Sequence, residues 1–106
     1  PAAYNDPKLV SRVNGVFEKW FGKDVLIERK PTMGGEDFGR YGRTGHKIPI
    51  YMFRLGGVSP SVVKRSQALG QLLPSLHSAK FAPDTACIRT GVTAMSAAVL
   101  ELLSKN

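Results

Sequence analysis

The sequence has little of what builds covalent cross-links or self-contained metal sites. Cys87 is its single cysteine, so no disulfide can form within the chain, and this mildly favours a reducing, cytoplasmic compartment. We interpret Cys87 as a small apolar filler rather than a nucleophile, because no partner histidine is evident. The chain also contains no C-x-x-C, H-E-x-x-H or P-loop motif. These absences exclude the common local signatures of zinc, redox and nucleotide sites.

Long runs of one charge or of apolar residues are also missing. The 15 basic and 8 acidic side chains give a net charge of +7, which raises the expectation of an anionic partner. They are scattered, however, and we interpret them as a solvated surface. Helical spacing places Trp20 in the core, which argues against a nucleic-acid interface. The most apolar stretch, 94–103, is shorter than a membrane span and is interrupted by Ser96 and Glu101, so we expect no membrane partner. The scattered charges and the predicted burial of Trp20 lead us to expect no nucleic-acid partner either.

Two long helices are predicted from their end signals and apolar spacing. Asp6 can cap the first helix, Pro7 fits its first position, and Gly22 ends it. Helical spacing predicts one buried face for this helix, formed by Leu9, Val10, Val13, Val16, Phe17, Trp20 and Phe21. A last helix is predicted from about Thr85 to Ser104. We call its predicted buried face the apolar stripe, which consists of Ile88, Val92, Met95, Val99, Leu102 and Leu103.

The middle of the chain predicts strands and shorter helices. A short strand is expected over 24–30 and a nearly continuously apolar one over 48–55, which is typical of a strand covered on both faces. Short helices are expected over 36–41 and 59–73. This alternation indicates an α/β fold with helices packed on a sheet. Two strands make a very small sheet, so further strands are expected from outside this chain.

Three places have residues suited to chemistry. Gly34 and Gly35 precede a helix start, where backbone N–H groups can approach an anion, although Gly-Gly is more often only a turn. His77 follows Pro74 in an irregular segment and suits a metal ligand or a general base, but a single histidine is no zinc site. Gly56 ends the apolar strand, where ligands bind in open α/β sheets. His46 lies in a polar turn and is interpreted as exposed and inert.

The order of these motifs resembles the C-terminal end of the zinc-dependent amidohydrolases, the family of aminoacylase, hippurate hydrolase and carboxypeptidase G-like peptidases. The resemblance covers essentially the whole chain, and each motif taken singly is weak. It is carried by PTMGGEDF (31–38), the strand ending RLGG (54–57), LPSLHSAKF (73–81) and a helix opening IRTGV (88–92). The turn GRTGH at 42–46 matches no motif of the family.

The resemblance implies a particular fold and chemistry. The chain would be the C-terminal part of an α/β/α sandwich catalytic domain with a mostly parallel sheet. The N-terminal catalytic part and an inserted dimerisation domain would be absent from it. The family's metal centre is a pair of zinc ions, and its members hydrolyse the amides of N-acyl amino acids or small peptides. The other ligands and the glutamate general base would lie upstream, so the segment alone is expected to be inactive.

Site residues follow from the resemblance position by position. His77 resembles the last metal ligand, in the family's His-Ser-x-x-Phe segment. The glycines and acids Gly34, Gly35, Glu36 and Asp37, together with Gly56, are assigned to the substrate pocket. Glu36 and Asp37 suit helix-capping acids equally well. A homodimer through the inserted domain is also implied.

Two other classes of protein compete with the hydrolase. The first is a small basic nucleic-acid-binding domain, which would use the positive charge together with Tyr4, Trp20 and Tyr41. The second is a structural or regulatory domain without chemistry of its own. Upstream His-x-Asp and Glu-Glu motifs would favour the hydrolase, whereas salt-dependent binding of DNA or RNA would favour the first alternative.

Overall fold

The computed structural model describes residues 2–32, 37–74 and 77–104. Its α-helices are α1 (Pro7–Phe21), α2 (Pro60–Leu69) and α3 (Ala86–Leu103), and short 3-10 helices span Lys23–Val25 and Phe38–Arg43. None of the described residues belongs to a β-strand. The chain divides into two compact units, the first formed by Pro1–Arg54 with Ala94–Asn106 and the second by Leu55–Thr93.

Helix α1 forms where its end signals predict it. The Asp6 side chain accepts a hydrogen bond from the backbone N–H of Leu9 at 2.9 Å, and Pro7 occupies the first turn, where its missing N–H costs nothing. At the other end, Gly22 has a φ of 94° and donates its N–H to the Glu18 carbonyl at 2.8 Å. Glycine adopts this positive φ without strain, so the helix stops there.

The core of the first unit combines large side chains from α1 with alanines from α3. Val13, Phe17, Ala94 and Ala98 are buried together, and the partly buried rings of Tyr51 and Phe53 pack against them. The Phe17 and Phe53 rings meet edge to face with their centroids 5.0 Å apart, a favourable aromatic geometry. Burying each large side chain contributes about 1.5–3 kcal/mol, so this small cluster stabilises the unit.

The predicted buried faces of the two long helices are partly wrong. Val13 and Phe17 are buried as expected, but Trp20 is 60% exposed. In α3 the whole apolar stripe is exposed, from 43% at Leu102 to 75% at Leu103, while Ala94, Ala97 and Ala98 are buried instead. Periodicity counts large apolar residues as the buried face, but small alanines are the ones that fit beside the bulky side chains of α1. The large residues of α3 have no comparable cover within the described residues.

The two predicted strands do not form a sheet in the described residues. Lys23–Val25, at the start of the first one, is a 3-10 helix, and 48–57 has no regular secondary structure. The 48–55 segment instead bonds to the chain just before α1. The Asn5 side chain donates to the Met52 carbonyl at 3.0 Å and accepts from the Met52 N–H at 2.9 Å, while Asp6 donates its N–H to the Ile50 carbonyl at 2.9 Å. At Met52, the Asn5 side-chain amide therefore makes the two hydrogen bonds that a neighbouring strand would make. The α/β fold class stays a prediction.

The shorter predicted helices are present with different bounds. Helix α2 begins at Pro60, where Ser59 accepts a hydrogen bond from the Val62 N–H at 3.4 Å. It ends before Gly70, which has a φ of 62°, so the helix is shorter than the predicted 59–73. The short helix expected over 36–41 is a 3-10 helix over Phe38–Arg43, and residue 36 lies outside the described residues.

The hydrophobic part of α3 is longer than the stretch 94–103 singled out from the sequence. Over its 18 residues it has a mean hydropathy of 1.4, and by length and composition alone it is able to cross a membrane. A single helix of this kind is weak evidence for a membrane protein, because the core helices of soluble proteins have the same composition. Its apolar residues nevertheless lie on several sides of the helix, a pattern typical of a helix that is surrounded rather than solvated.

Candidate functional site

His77, the predicted metal ligand, lies in a short turn of the second unit. Its side chain is exposed. The backbone directly after it is fixed, because Phe81 donates its N–H to the Ser78 carbonyl at 3.0 Å and Lys80 donates its N–H to the Ser78 hydroxyl at 3.1 Å. An irregular segment is predicted here from the sequence, and the described residues after position 76 agree. The turn therefore presents the imidazole to solvent from a defined backbone.

The chain that follows this turn is tied to the glycine pair at the end of the predicted apolar strand. Asp84 donates its N–H to the Gly57 carbonyl at 2.7 Å. A methyl group placed on Gly57 would lie 3.4 Å from the Pro83 side chain, so the two segments are in van der Waals contact. Gly56 is exposed, and a methyl group there would meet nothing within 4 Å. Within the second unit, the segment that follows His77 and the Gly56–Gly57 pair are thus joined through the backbone.

Asp84 is a positioning residue that the sequence analysis missed. Its carboxylate accepts a hydrogen bond from the Ala86 N–H at 2.9 Å, and its carbonyl accepts one from the Cys87 N–H at 3.0 Å. Asp84 therefore starts α3 at the same point where it holds Gly57. The sequence does contain a signal for this role, because an aspartate just before an apolar helical pattern is a typical N-terminal capping residue.

Asp37 lies in the first unit and precedes the 3-10 helix Phe38–Arg43. Its side chain makes no capping hydrogen bond, although it pairs with Arg40 at 3.9 Å. Both side chains are highly exposed, so this ion pair contributes little. Asp37, Phe38, Arg40 and Tyr41 line a shallow, open depression on this unit. The other predicted pocket residues, Gly34, Gly35 and Glu36, lie outside the described residues.

The donor atoms of the described residues do not by themselves make a zinc site. Within the ranges 2–32, 37–74 and 77–104, no three histidine, cysteine, aspartate or glutamate side chains lie close enough to hold a metal ion. Structural and catalytic zinc sites use at least three protein ligands. Among the described residues, His77 can therefore supply at most one ligand of such a site. His46 is exposed beside a turn, as predicted.

Comparison with known proteins gives one consistent similarity. The chain is 42% identical over 71 residues to the N-acetyldiaminopimelate deacetylase of Lactiplantibacillus plantarum. It is 38% identical over 71 residues to the proteins of the same name from Lacticaseibacillus casei and Lacticaseibacillus paracasei. In each case the match covers 67% of this chain. No family model matches the chain, and no solved structure matches it.

The similarity is confined to a small part of each relative. The matched region makes up 14% of the L. plantarum protein and 15% of the other two. The relatives are named as deacetylases, so the chain resembles a region of enzymes that hydrolyse an amide. The earlier resemblance to amidohydrolases is supported to this extent, whereas zinc, hippurate hydrolase and metallopeptidase activity stay predictions.

Proposed function

We propose that the chain is the C-terminal part of an amidohydrolase catalytic domain that cleaves N-acyl amino acids. The observation that carries the proposal is the 42% identity over 71 residues to an N-acetyldiaminopimelate deacetylase. The matched region is a small part of that relative, so the activity belongs to a larger catalytic unit in which this chain takes part. The proposed substrates are small N-acyl amino acids or peptides.

In this proposal His77 is one metal ligand. Its exposed position on a hydrogen-bonded turn supports the role, because a ligand must be accessible to the metal and held by a defined backbone. Zinc is the proposed metal, and it would polarise the amide carbonyl and supply an activated water. The chain's own contribution to that centre is to hold one imidazole nitrogen towards the metal.

The remaining predicted site residues would shape the substrate pocket. Gly56 is open to solvent beside a glycine whose carbonyl is fixed by Asp84, so its backbone is accessible to a ligand. Asp37 is also exposed, next to the proposed pocket loop of Gly34, Gly35 and Glu36. An α/β/α sandwich completed by further strands, and a homodimer formed through an inserted domain, belong to the same proposal.

A joined polypeptide tests the proposed activity directly. The N-terminal part of the L. plantarum deacetylase, ending where its similarity to this chain begins, would be fused to residues 1–106. We expect the fusion to release acetate from N-acetyldiaminopimelate, whereas neither half does so alone. Circular dichroism would show whether the fusion folds. A folded, metal-loaded fusion with no activity above that of the N-terminal half would contradict the proposal.

A nucleic-acid-binding function is a second candidate because of one observation. The structure removes the main argument against it, since Trp20 is 60% exposed and lies beside Lys19 on the surface of α1. Exposed aromatic and basic side chains together suit single-stranded nucleic acid. Binding of labelled oligonucleotides that weakens with salt, and is lost in Trp20→Ala, would favour this candidate over the hydrolase.

A further inference from the structure

Arg54 is a cation that lacks a carboxylate partner among the described residues. Within those residues, the ion pairs join Arg12 to Glu101 and Arg40 to Asp37. Arg54 contacts a neutral group instead, because its Nη2 donates to the Thr32 hydroxyl at 3.5 Å. Both side chains belong to the first unit and are exposed. Within the part of the chain that the structure describes, no acidic side chain therefore neutralises the Arg54 guanidinium.

The backbone on the N-terminal side of Arg54 is held in place. Phe53 packs against the buried core cluster of the first unit, and Met52 makes two hydrogen bonds with the Asn5 side chain. Phe53 and Arg54 therefore have opposite surroundings, the first in the core and the second in solvent. A guanidinium that starts from a fixed backbone loses less freedom when it binds a ligand than one on a loose segment.

The contact between Arg54 and Thr32 leaves donors available for an anion. A well-formed N–H···O hydrogen bond is about 2.7–3.2 Å long, so the 3.5 Å contact is a weak one. A guanidinium has five N–H donors in a planar fork that matches the two oxygens of a carboxylate. A threonine hydroxyl donates as well as accepts, so Thr32 can turn its hydrogen towards the same anion. Together the two side chains offer one carboxylate a charged fork and a second donor.

We propose that Arg54 and Thr32 bind the carboxylate of the N-acyl amino acid substrate. This inference rests on the proposed function. Acylation makes the amine of an amino acid neutral, so the carboxylate is the remaining charge by which such a substrate is recognised. The net charge of +7 favours the approach of an anion. In the sequence, Thr32 lies two residues before Gly34, where the proposed pocket loop begins.

NMR of the arginine side chains in the 106-residue chain tests this assignment. The probes are N-acetylalanine and its amide, which has a similar shape but no carboxylate. We expect N-acetylalanine to shift the Nε–Hε signal of Arg54 with an affinity about tenfold higher than at Arg65, an exposed arginine of α2. The amide should leave the Arg54 signal unchanged.

Substitutions separate carboxylate binding from a structural role, with the backbone amide of residue 32 or 54 as the reporter. Arg54→Met should lower the affinity for N-acetylalanine about tenfold, and Thr32→Val should lower it about threefold. Arg65→Met is the matched control and should have no effect. All three side chains are exposed, so the variants should stay folded, and circular dichroism checks this.

Three outcomes would overturn the proposal. They are equal shifts of Arg54 with the acid and the amide, equal affinities at Arg54 and Arg65, and an unchanged affinity in Arg54→Met. The measurement needs neither metal nor catalysis. Carboxylate binding at Arg54 together with an inactive fusion would therefore support the anion site and reject the proposed hydrolase activity. An active fusion without carboxylate binding at Arg54 would reject the anion site alone.

Discussion

At the scale of single residues, burial shifts the ionisation of one tyrosine. The Tyr51 hydroxyl donates to the Asn14 side-chain oxygen at 2.6 Å while its ring packs against the core of the first unit. Burial, the larger effect, raises the pKa of Tyr51 above its usual value of 10.0. The neutral phenol is therefore the form that the folded chain favours.

This pKa shift predicts a loss of stability in alkali. The stabilisation from Tyr51 is fully present below pH 10.0, and it is lost as the pH rises through the raised pKa of the folded state. Urea unfolding between neutral and strongly alkaline pH would measure this decline. In Tyr51→Phe, which keeps the ring but has no ionisable hydroxyl, the alkaline decline should be smaller. An identical pH dependence in the two proteins would contradict the assignment.

The proposed metal-ligand role of His77 depends on residues outside its own segment. Its segment was singled out from the sequence because the residues around it match a family pattern, and the structure places the side chain in solvent on a turn. Metal binding depends on several ligands that converge in space. One imidazole in a sequence of this length cannot specify that convergence, so the ligand role remains a prediction.

At the scale of elements, helix ends were predictable but helix faces were not. Asp6, Pro7 and Gly22 act on their immediate neighbours, so the bounds of α1 follow from local sequence alone. The predicted bounds of α3, about 85–104, also agree with Ala86–Leu103. Which face of α3 is buried depends on the side chains that pack against it. A periodicity pattern that weights large side chains does not identify the alanines that pack beside Phe17. Within the described residues, the apolar stripe is exposed.

The predicted strands are absent from the described residues for a related reason. A β-strand is defined by hydrogen bonds to a neighbour, and a sequence pattern shows only that a segment is suited to one. Residues 48–55 have the composition of a central strand, yet within the described residues the hydrogen bonds of their backbone groups go to Asn5 and Asp6. The fold class inferred from that composition therefore needs additional strands to be realised.

Two glycines in the first unit predict opposite effects of the same substitution. A methyl group on Gly39 would lie 2.6 Å from the Ala2 carbonyl oxygen, so Gly39→Ala must displace the backbone before α1 and should cost about 1–3 kcal/mol. Gly15 lies in α1, where a methyl group would meet nothing within 4 Å, so Gly15→Ala should stabilise by about 1 kcal/mol through helix propensity. Thermal unfolding of both variants checks the pair. A stable Gly39→Ala would show that residues 2–3 do not pack where the structure places them.

At the scale of the whole molecule, exposed apolar surface and partial similarity point the same way. Many large apolar side chains are exposed, and those of α3 have the composition of an interior helix. The curated relatives are several times longer than the region they share with this chain. Both observations agree with the proposal that the chain folds as part of a larger catalytic domain.

Metal content tests most directly the proposal that His77 supplies one ligand to a zinc centre of an amidohydrolase. Elemental analysis of the fusion between the N-terminal deacetylase part and residues 1–106 would compare His77→Ala with His46→Ala, which removes the chain's other histidine from an exposed turn. We expect His77→Ala to lose one equivalent of metal and His46→Ala to lose none. An unchanged metal content in a folded His77→Ala fusion would contradict it.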